Sequence, residues 1–316
     1  MEEIKLYEGK DFKDFLEHVN VQRKPAILRG IDIGPCVDIW SPEYLGEKVG
    51  NMPVKVHVSP NPKMDFIKKN FSYKTLPFDE LVKRASRNVQ DDYFIHPQEL
   101  YYLRSLGTEP RGTDVAVFEE HYPSLSDDLK IPEMFGKEKF FSSILRVSSP
   151  QLCLWTHYDV MDNVLIQIRG KKKIYLFDPV DALNLYLIGD KSQITDPNDT
   201  ENPHFPNFKK AKRYETTLIP GDIIFIPALW LHNVEPVEFS VAVNVFWRNL
   251  DKKFYDQKDT YGNKDPIPAA RALQTLHNAM KSLDSLPEDY QHFYYTRMIS
   301  EIFRKIEDIE QKRTNL

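Results

Sequence analysis

Between residues 141 and 247 the chain breaks into short apolar runs at close, even spacing, and this pattern limits the possible folds more than any other feature. Phe141 to Val147, Leu152 to Tyr158, Asn163 to Arg169, Lys173 to Phe177, Arg213 to Leu218, Ile223 to Ile226 and Phe239 to Trp247 read as strands. Ser149-Pro150, Gly170, Asp178-Pro179 and Pro220-Gly221-Asp222 separate them as turns. So many short strands predict a double-sheet jelly roll or a small barrel. The stretch from Gly189 to Asn207, rich in Asp, Asn and Pro, reads as a long loop.

The flanks have other periods. Ahead of the strand-rich region, Asp11 to Val19 has helical spacing, Pro25 to Arg29 and Val54 to Val58 read as strands, and a helix opens at Ser41-Pro42. A further helix begins at Pro77, and Asp92 to Leu106 is rich in aromatic residues. After Asp265-Pro266, apolar residues recur at steps of three and four: Ala272, Leu273, Leu276, Met280 and Leu283, then Met298, Ile302, Ile306 and Ile309. A helical hairpin with one apolar stripe needs a second surface, either its own barrel or another subunit. The expected class is α+β, in three regions. Residues 1–134 hold mixed elements packed on the core, 135–250 form that core, and 251–316 are C-terminal helices suited to dimerisation.

Composition narrows the function. Lys plus Arg number 42 against 47 Asp plus Glu, so the formal charge of -5 excludes a globally basic nucleic-acid binder and leaves room for a local basic patch. Glycine is scarce, at 12 residues, and neither GxGxxG, GxxxxGK[ST] nor GxSxG occurs. Dinucleotide-binding dehydrogenases, P-loop NTPases and α/β-hydrolases therefore drop out. Cys36 and Cys153 are too few for a disulfide framework or a Cys-rich zinc site and read as buried thiols. The acidic start, MEEIKLYEGKDF, lacks the apolar segment of a signal peptide, and no apolar run approaches bilayer length. The expectation is a protein without a membrane segment, cytoplasmic, with the nucleus left open.

The chemistry centres on His157-Tyr-Asp159. On a strand, residues two apart share a face, so this imidazole and carboxylate converge. The triplet alone is weak, because nine His among 47 acids produce about one such match by chance. A second apolar run, Gly221 to Leu231, delivers His232 just past its end. Two imidazoles and one carboxylate make the facial set of non-haem Fe(II) oxygenases, with open positions for cosubstrate and O2. A zinc hydrolase has similar ligands, but no HExxH helix supplies its base. The plain alternative is two histidines at the core edge and a surface aspartate. In Gly170-Lys-Lys-Lys173, any lysine facing the interior needs an anion, which a dicarboxylate supplies; strand parity does not select which lysine it is.

HYDVMDNVLIQIRGKKKIYLF, GDIIFIPALWLHNV and VAVNVFW resemble the JmjC-type 2-oxoglutarate oxygenases over roughly 135 to 250. The resemblance implies a double-stranded β-helix (cupin) core, Fe(II) at His157, Asp159 and His232, and 2-oxoglutarate held by Lys172. It implies a second cosubstrate contact at Tyr102, and Asn163 and Asn244 near the metal. One position departs: family members often carry Thr three residues before the first metal His, where this chain has Leu154. QRKPAILRGIDIGPC, MDFIKKNF, YYLRSLG, SSPQLCLWTHYDVMDN and KDTYGNKDP resemble the wybutosine hydroxylases of that family. This implies hydroxylation of the side chain of a modified guanosine beside the anticodon of phenylalanine tRNA, by a homodimer joined through C-terminal helices, with no role for DNA. The basic run Lys209, Lys210, Lys212 and Arg213, with Lys68-Lys69, is the candidate RNA contact. Tyr101, Trp155 and Trp230 are candidates to stack on a base. A protein hydroxylase acting on Asn, Asp, His or Lys, and a non-catalytic scaffold, stand as alternatives.

Overall fold

The computed structural model describes residues 2–108 and 112–314. β1 (Lys5–Glu8), α1 (Phe12–Glu17), β2 (Ala26–Arg29), α2 (Cys36–Ile39), α3 (Pro42–Val49), β3 (Pro53–Ser59), β4 (Ser72–Pro77), α4 (Phe78–Ala85) and β5 (Leu100–Arg104) come first. Two single turns follow, α5 (Phe118–His121) and α6 (Pro123–Ser126). Next are β6 (Phe140–Ser148), β7 (Asp162–Arg169), β8 (Lys172–Phe177), β9 (Leu187–Ile188), β10 (Lys191–Ser192), β11 (Arg213–Leu218), β12 (Ile223–Ile226), β13 (Leu231–Pro236) and β14 (Ser240–Trp247). The chain closes with α7 (Ile267–Ser282) and α8 (Glu288–Thr314).

A nine-stranded sheet runs β1-β2-β12-β7-β14-β6-β5-β3-β4, and a three-stranded sheet runs β11-β8-β13. Period-two alternation sorts the side chains of the large sheet onto two faces. Val164, Ile166 and Ile168 of β7, Ile223 and Phe225 of β12, and Val241, Val243 and Val245 of β14 enter one cluster, with Trp40, Phe78 and Phe118 of the helical layer. The intervening Leu165, Ile224, Ile226 and Ala242 enter a second cluster, with Ile174 and Leu176 of β8 and Val234 of β13. Strands buried on both faces read as near-continuous apolar runs, which is why this region stands out in the sequence. The second cluster fills the space between the sheets and leaves one end to polar side chains. This is the expected α+β class with a double-stranded β-helix at its centre.

The polypeptide passes from the large sheet to the small one through Arg169-Gly170-Lys171. Gly170 has φ +71°, and a Cβ there would lie 2.2 Å from the carbonyl oxygen of Phe239. The Gln167 amide donates to the carbonyls of Arg169 at 2.7 Å and Gly170 at 2.8 Å. The glycine is thus required twice, for its backbone angle and for the space.

Three sequence expectations need correction. Leu152 to Tyr158 is not a continuous strand; its backbone partners are scattered over Pro62, Val234, His232 and Asp190. His232 does not trail a strand end but lies inside β13. The stretch expected as a loop from Gly189 opens with β10, paired to β9. Elsewhere the local reading holds: Ser41 caps α3, its hydroxyl accepting from the Tyr44 N–H at 3.1 Å, with Pro42 in the first turn. Cys36 and Cys153 are free and buried, and burial pushes each thiol up to about 12.

Among the described residues, 2–108, 112–252 and 257–264 form one compact unit, and 253–256 with 265–314 a second. In the second unit the Tyr295 hydroxyl donates to the Met280 carbonyl at 3.2 Å and ties α8 to α7. No helix among the described residues is long and apolar enough to cross a membrane.

Candidate metal centre

His157 and His232 are locked together through the backbone. The His157 N–H donates to the His232 carbonyl at 3.1 Å, and the His232 N–H returns a bond at 2.7 Å. This reciprocal pair sets the two rings 4.4 Å apart between centroids. The Asp159 carbonyl is fixed in turn by the Leu229 N–H at 2.8 Å. One ligand atom from each of His157, Asp159 and His232 lies within 4.8 Å of the others. His232 Nε2 stands 3.5 Å from Asp159 Oδ2.

Tautomer decides whether such a group can hold a metal. His157 Nδ1 lies 3.0 Å from the Trp155 carbonyl, and His232 Nδ1 lies 3.0 Å from the Trp230 carbonyl. A carbonyl only accepts, so each Nδ1 carries a proton and Nε2 is the atom each ring can offer to a metal. Burial, then the neighbouring His232, pushes His157 down to about 3, so its ring is neutral. Two imidazoles presenting Nε2 and one carboxylate fit a divalent metal of the non-haem iron type.

Around this group run two chambers. The inner one is lined by Tyr102, Arg146, Ser148, Leu154, Asn163, Lys172 and Asn244 with the two histidines. Lys172 is 2% exposed, while Lys171 and Lys173 on either side are exposed, so the structure selects the lysine that parity left open. It has no carboxylate within ion-pair reach among the described residues. Burial, then Arg146, holds its ammonium down to about 7. Tyr102, Asn163 and Asn244 are equally buried. Arg146 Nε donates to Asn244 Oδ1 at 2.7 Å, Asn244 Nδ2 to Asn163 Oδ1 at 2.8 Å, and Asn163 Nδ2 to Asp159 Oδ2 at 3.1 Å. Arg146 also donates to the Tyr102 hydroxyl. This relay runs from the inner chamber to the carboxylate ligand and fixes its orientation.

The outer chamber, about 310 Å³, opens in front of His157 and Asp159. Its walls are Phe66, Tyr73, Trp155, Phe246 and Tyr261, with Arg104, Arg146, Asp190 and Lys191 between them. Phe66 and Trp155 are 3.5 Å apart between ring centroids at 32°. Sequence reasoning passed over Arg104 and Arg146. The signal was present, since each is a lone charge inside an apolar strand, in LYYLR and SSILRVS.

A sequence profile described as a cupin-like domain matches residues 12–253, most of the chain. The chain belongs to the cupin-like family. It is 51% identical over 300 residues to tRNA wybutosine-synthesizing protein 5 of Danio rerio, covering 95% of this chain and 92% of that one. It is 52% identical over 295 residues to the Homo sapiens protein of the same name, covering 93% of each. A protein named tRNA wybutosine-synthesizing protein 4, from Gibberella zeae, is 37% identical over 309 residues, 96% of this chain and 29% of the other. Identity and coverage at this level place the chain in one family with these proteins.

In this cupin-like barrel the seven residues expected at the metal and cosubstrate converge, whereas the expected RNA contacts do not join them. Lys209, Lys210, Lys212 and Arg213 line neither chamber. Three of the four face acids: Lys209 meets Glu201 at 3.7 Å, Lys212 meets Glu2 at 2.8 Å and Arg213 meets Glu215 at 2.5 Å. Of the aromatic candidates, Tyr101 is fully buried and Trp230 nearly so, while Trp155 lines the outer chamber.

Proposed function

We propose that this cupin-like protein is an Fe(II)- and 2-oxoglutarate-dependent hydroxylase. Its substrate in this reading is the side chain of a wybutosine-type guanosine next to the anticodon of phenylalanine tRNA. The observation that carries the reading is the pairing of a His-Asp-His set with a buried cation, Lys172, that has no carboxylate partner among the described residues, beside the same chamber. The names of the relatives support the tRNA substrate.

His157, Asp159 and His232 would hold the iron through Nε2, a carboxylate oxygen and Nε2. Iron bound there supplies the redox chemistry that couples decarboxylation of 2-oxoglutarate to insertion of one oxygen atom from O2 into a C–H bond. The chain's own residues prepare that step. The Lys172 ammonium pairs with the distal carboxylate of the cosubstrate. Arg146 donates to the Tyr102 oxygen, which leaves the Tyr102 proton free to donate to the same carboxylate. Leu154, where relatives of this type often have Thr, adds no hydroxyl; Ser148 brings one to the same chamber. The relay from Arg146 to Asp159 keeps the carboxylate ligand from rotating, and the aromatic walls of the outer chamber exclude water and offer faces for a base. Ile299, Ile302, Phe303, Ile306 and Ile309 of α8 are exposed and share one side of the helix, a stripe that supports pairing of two copies through the C-terminal helices.

The test incubates the full chain with Fe(II), 2-oxoglutarate, isotopically labelled O2 and undermodified phenylalanine tRNA, followed by mass spectrometry of the base. Expected are one labelled oxygen on the base and an equal yield of succinate. Label on a peptide and none on tRNA would make the protein a protein hydroxylase, and no succinate with any substrate would make it a scaffold.

A further inference from the structure

Two buried cations, Arg104 and Lys172, and the half-buried Arg146 line the two chambers. Arg104 and Arg146 stand directly opposite each other in the β5–β6 register, an arrangement that costs stability unless an anion lies near. Among the described residues the chambers offer two carboxylates in return, and one of these, Asp190, is already paired with Lys191. The other, Asp159, belongs to the metal set. Lys172 lines only the inner chamber, where the cosubstrate would answer it. Arg146 is engaged by Tyr102 and Asn244. Arg104 lines only the outer chamber, is 9% exposed, and has no carboxylate within ion-pair reach among the described residues.

The hold on Arg104 is specific. Its guanidinium carbon lies 3.5 Å from the centroid of the Tyr261 ring, and Nη2 donates to the Tyr261 carbonyl at 2.9 Å. Tyr261 is itself fixed, because the Asp259 carboxylate accepts from the N–H groups of Tyr261 at 3.1 Å, Gly262 at 2.9 Å and Lys264 at 2.9 Å. Gly262 has φ +81°, and a Cβ there would lie 2.4 Å from the Phe141 ring. This loop lies beyond residue 253, where the match to the cupin-like domain ends. The guanidinium is therefore clamped from outside the shared domain, with one face stacked and donors to spare. A buried guanidinium in that state calls for an anion that arrives with the ligand.

We propose that Arg104, clamped by Tyr261, determines specificity in the outer chamber by receiving a carboxylate carried on the aromatic base of the substrate. The inference rests on the hydroxylase reading above and adds the charge that the substrate must bring. Phe66 and Trp155 take the ring system, and Arg104 takes the anionic substituent through charge-assisted hydrogen bonds. A base-borne carboxylate is favoured over a backbone phosphate because Arg104 shares the chamber with His157 and Asp159, where the reacting side chain must lie.

The test compares phenylalanine tRNA whose base side chain ends in a free carboxylate with the same tRNA after methyl esterification, measuring kcat and KM for each. Wild type should show a KM about tenfold or more lower for the acid, with similar kcat. Arg104→Gln should erase that preference, and Arg104→Lys should keep part of it. Equal KM for acid and ester in wild type overturns the inference, as does an Arg104→Gln variant that raises both KM values alike, the result expected of a phosphate contact or a purely structural role. The wild-type comparison decides even where Arg104→Gln does not fold. A wild-type protein that yields neither succinate nor oxidised base with either tRNA instead sinks the hydroxylase reading.

Discussion

The inner and outer chambers meet at His157 and are built by different means. Tyr102, Arg146, Asn163, Lys172, His232 and Asn244 of the inner chamber all project from strands, held by ladders on one or both sides. Phe66, Trp155, Asp190, Tyr261 and Gly262 of the outer chamber come from connecting segments. Strands fix atoms to fractions of an ångström and suit chemistry that does not vary; loops tolerate change and suit the choice of substrate. The division teaches that reaction and specificity can be altered separately here, and each variant below tests that separation.

His157→Ala or Asp159→Ala should abolish turnover and Fe(II) binding with the sheets intact, read by isothermal titration with metal and by circular dichroism. Turnover that survives either change breaks the inner chamber as the site of reaction. Lys172→Ala should raise KM for 2-oxoglutarate by roughly 10- to 100-fold, the worth of one buried charge-assisted bond, and raise KM for tRNA far less. Asn244→Ala cuts the relay two bonds from the metal set and should weaken Fe(II) binding about tenfold.

A pH experiment sharpens the same contrast. Burial lowers the Lys172 pKa from its ordinary value to about 7, so the empty site carries a neutral amine above that pH and an ammonium below it. A dicarboxylate binds the ammonium form, so affinity for 2-oxoglutarate should fall as pH rises past about 7, by at most about tenfold per unit. Binding at pH 8 should take up a proton, seen as a dependence of the calorimetric heat on buffer. The same linkage makes the ligand-free fold less stable as pH falls from the ordinary lysine value of 10.5 toward about 7, because the unfolded chain then takes up a proton that the buried amine does not, and the loss levels off below about 7. In the outer chamber, Phe66→Ala should raise KM for tRNA about fivefold through lost stacking. The smallest effect belongs to Ser41→Ala, far from either chamber in the sequence of contacts, which should cost about 1 kcal/mol in thermal unfolding and move neither KM.

What could be read in advance follows the same line. The inner chamber was legible chiefly because the family resemblance named its members; parity brought His157 and Asp159 together on a segment that is not a continuous strand, and it did not choose among the lysines. Of the strands that went unread, β1, β4 and β13 lie at sheet edges, β9 and β10 form a two-residue pair, and β5, inside the large sheet, was hidden in an aromatic-rich stretch. KLYE, SYKTLP and LHNVEP carry polar residues on their open sides and mimic loops. That is how His232 came to be placed beyond a strand rather than within one. The outer chamber was illegible because its walls come from Phe66, Arg104, Trp155 and Tyr261, whose meeting depends on tertiary closure and on no local period. Leu152 to Tyr158 misled for a related reason: its composition is that of a strand, but its partners lie on three different segments.

The turn at Gly170 carries a consequence for the charge inside the barrel. Lys171, Lys172 and Lys173 are chemically identical, so nothing in their own chemistry says which one turns inward. A slip of β8 by one residue would present a neighbouring lysine to the other face and flip every apolar partner behind it. Gly170, pinned by Gln167 and by the close carbonyl of Phe239, acts as the phase reference of that strand. A side chain at position 170 would leave all three lysines in place and still remove the cation from the cavity, so which lysine enters the cavity is written two residues before that lysine.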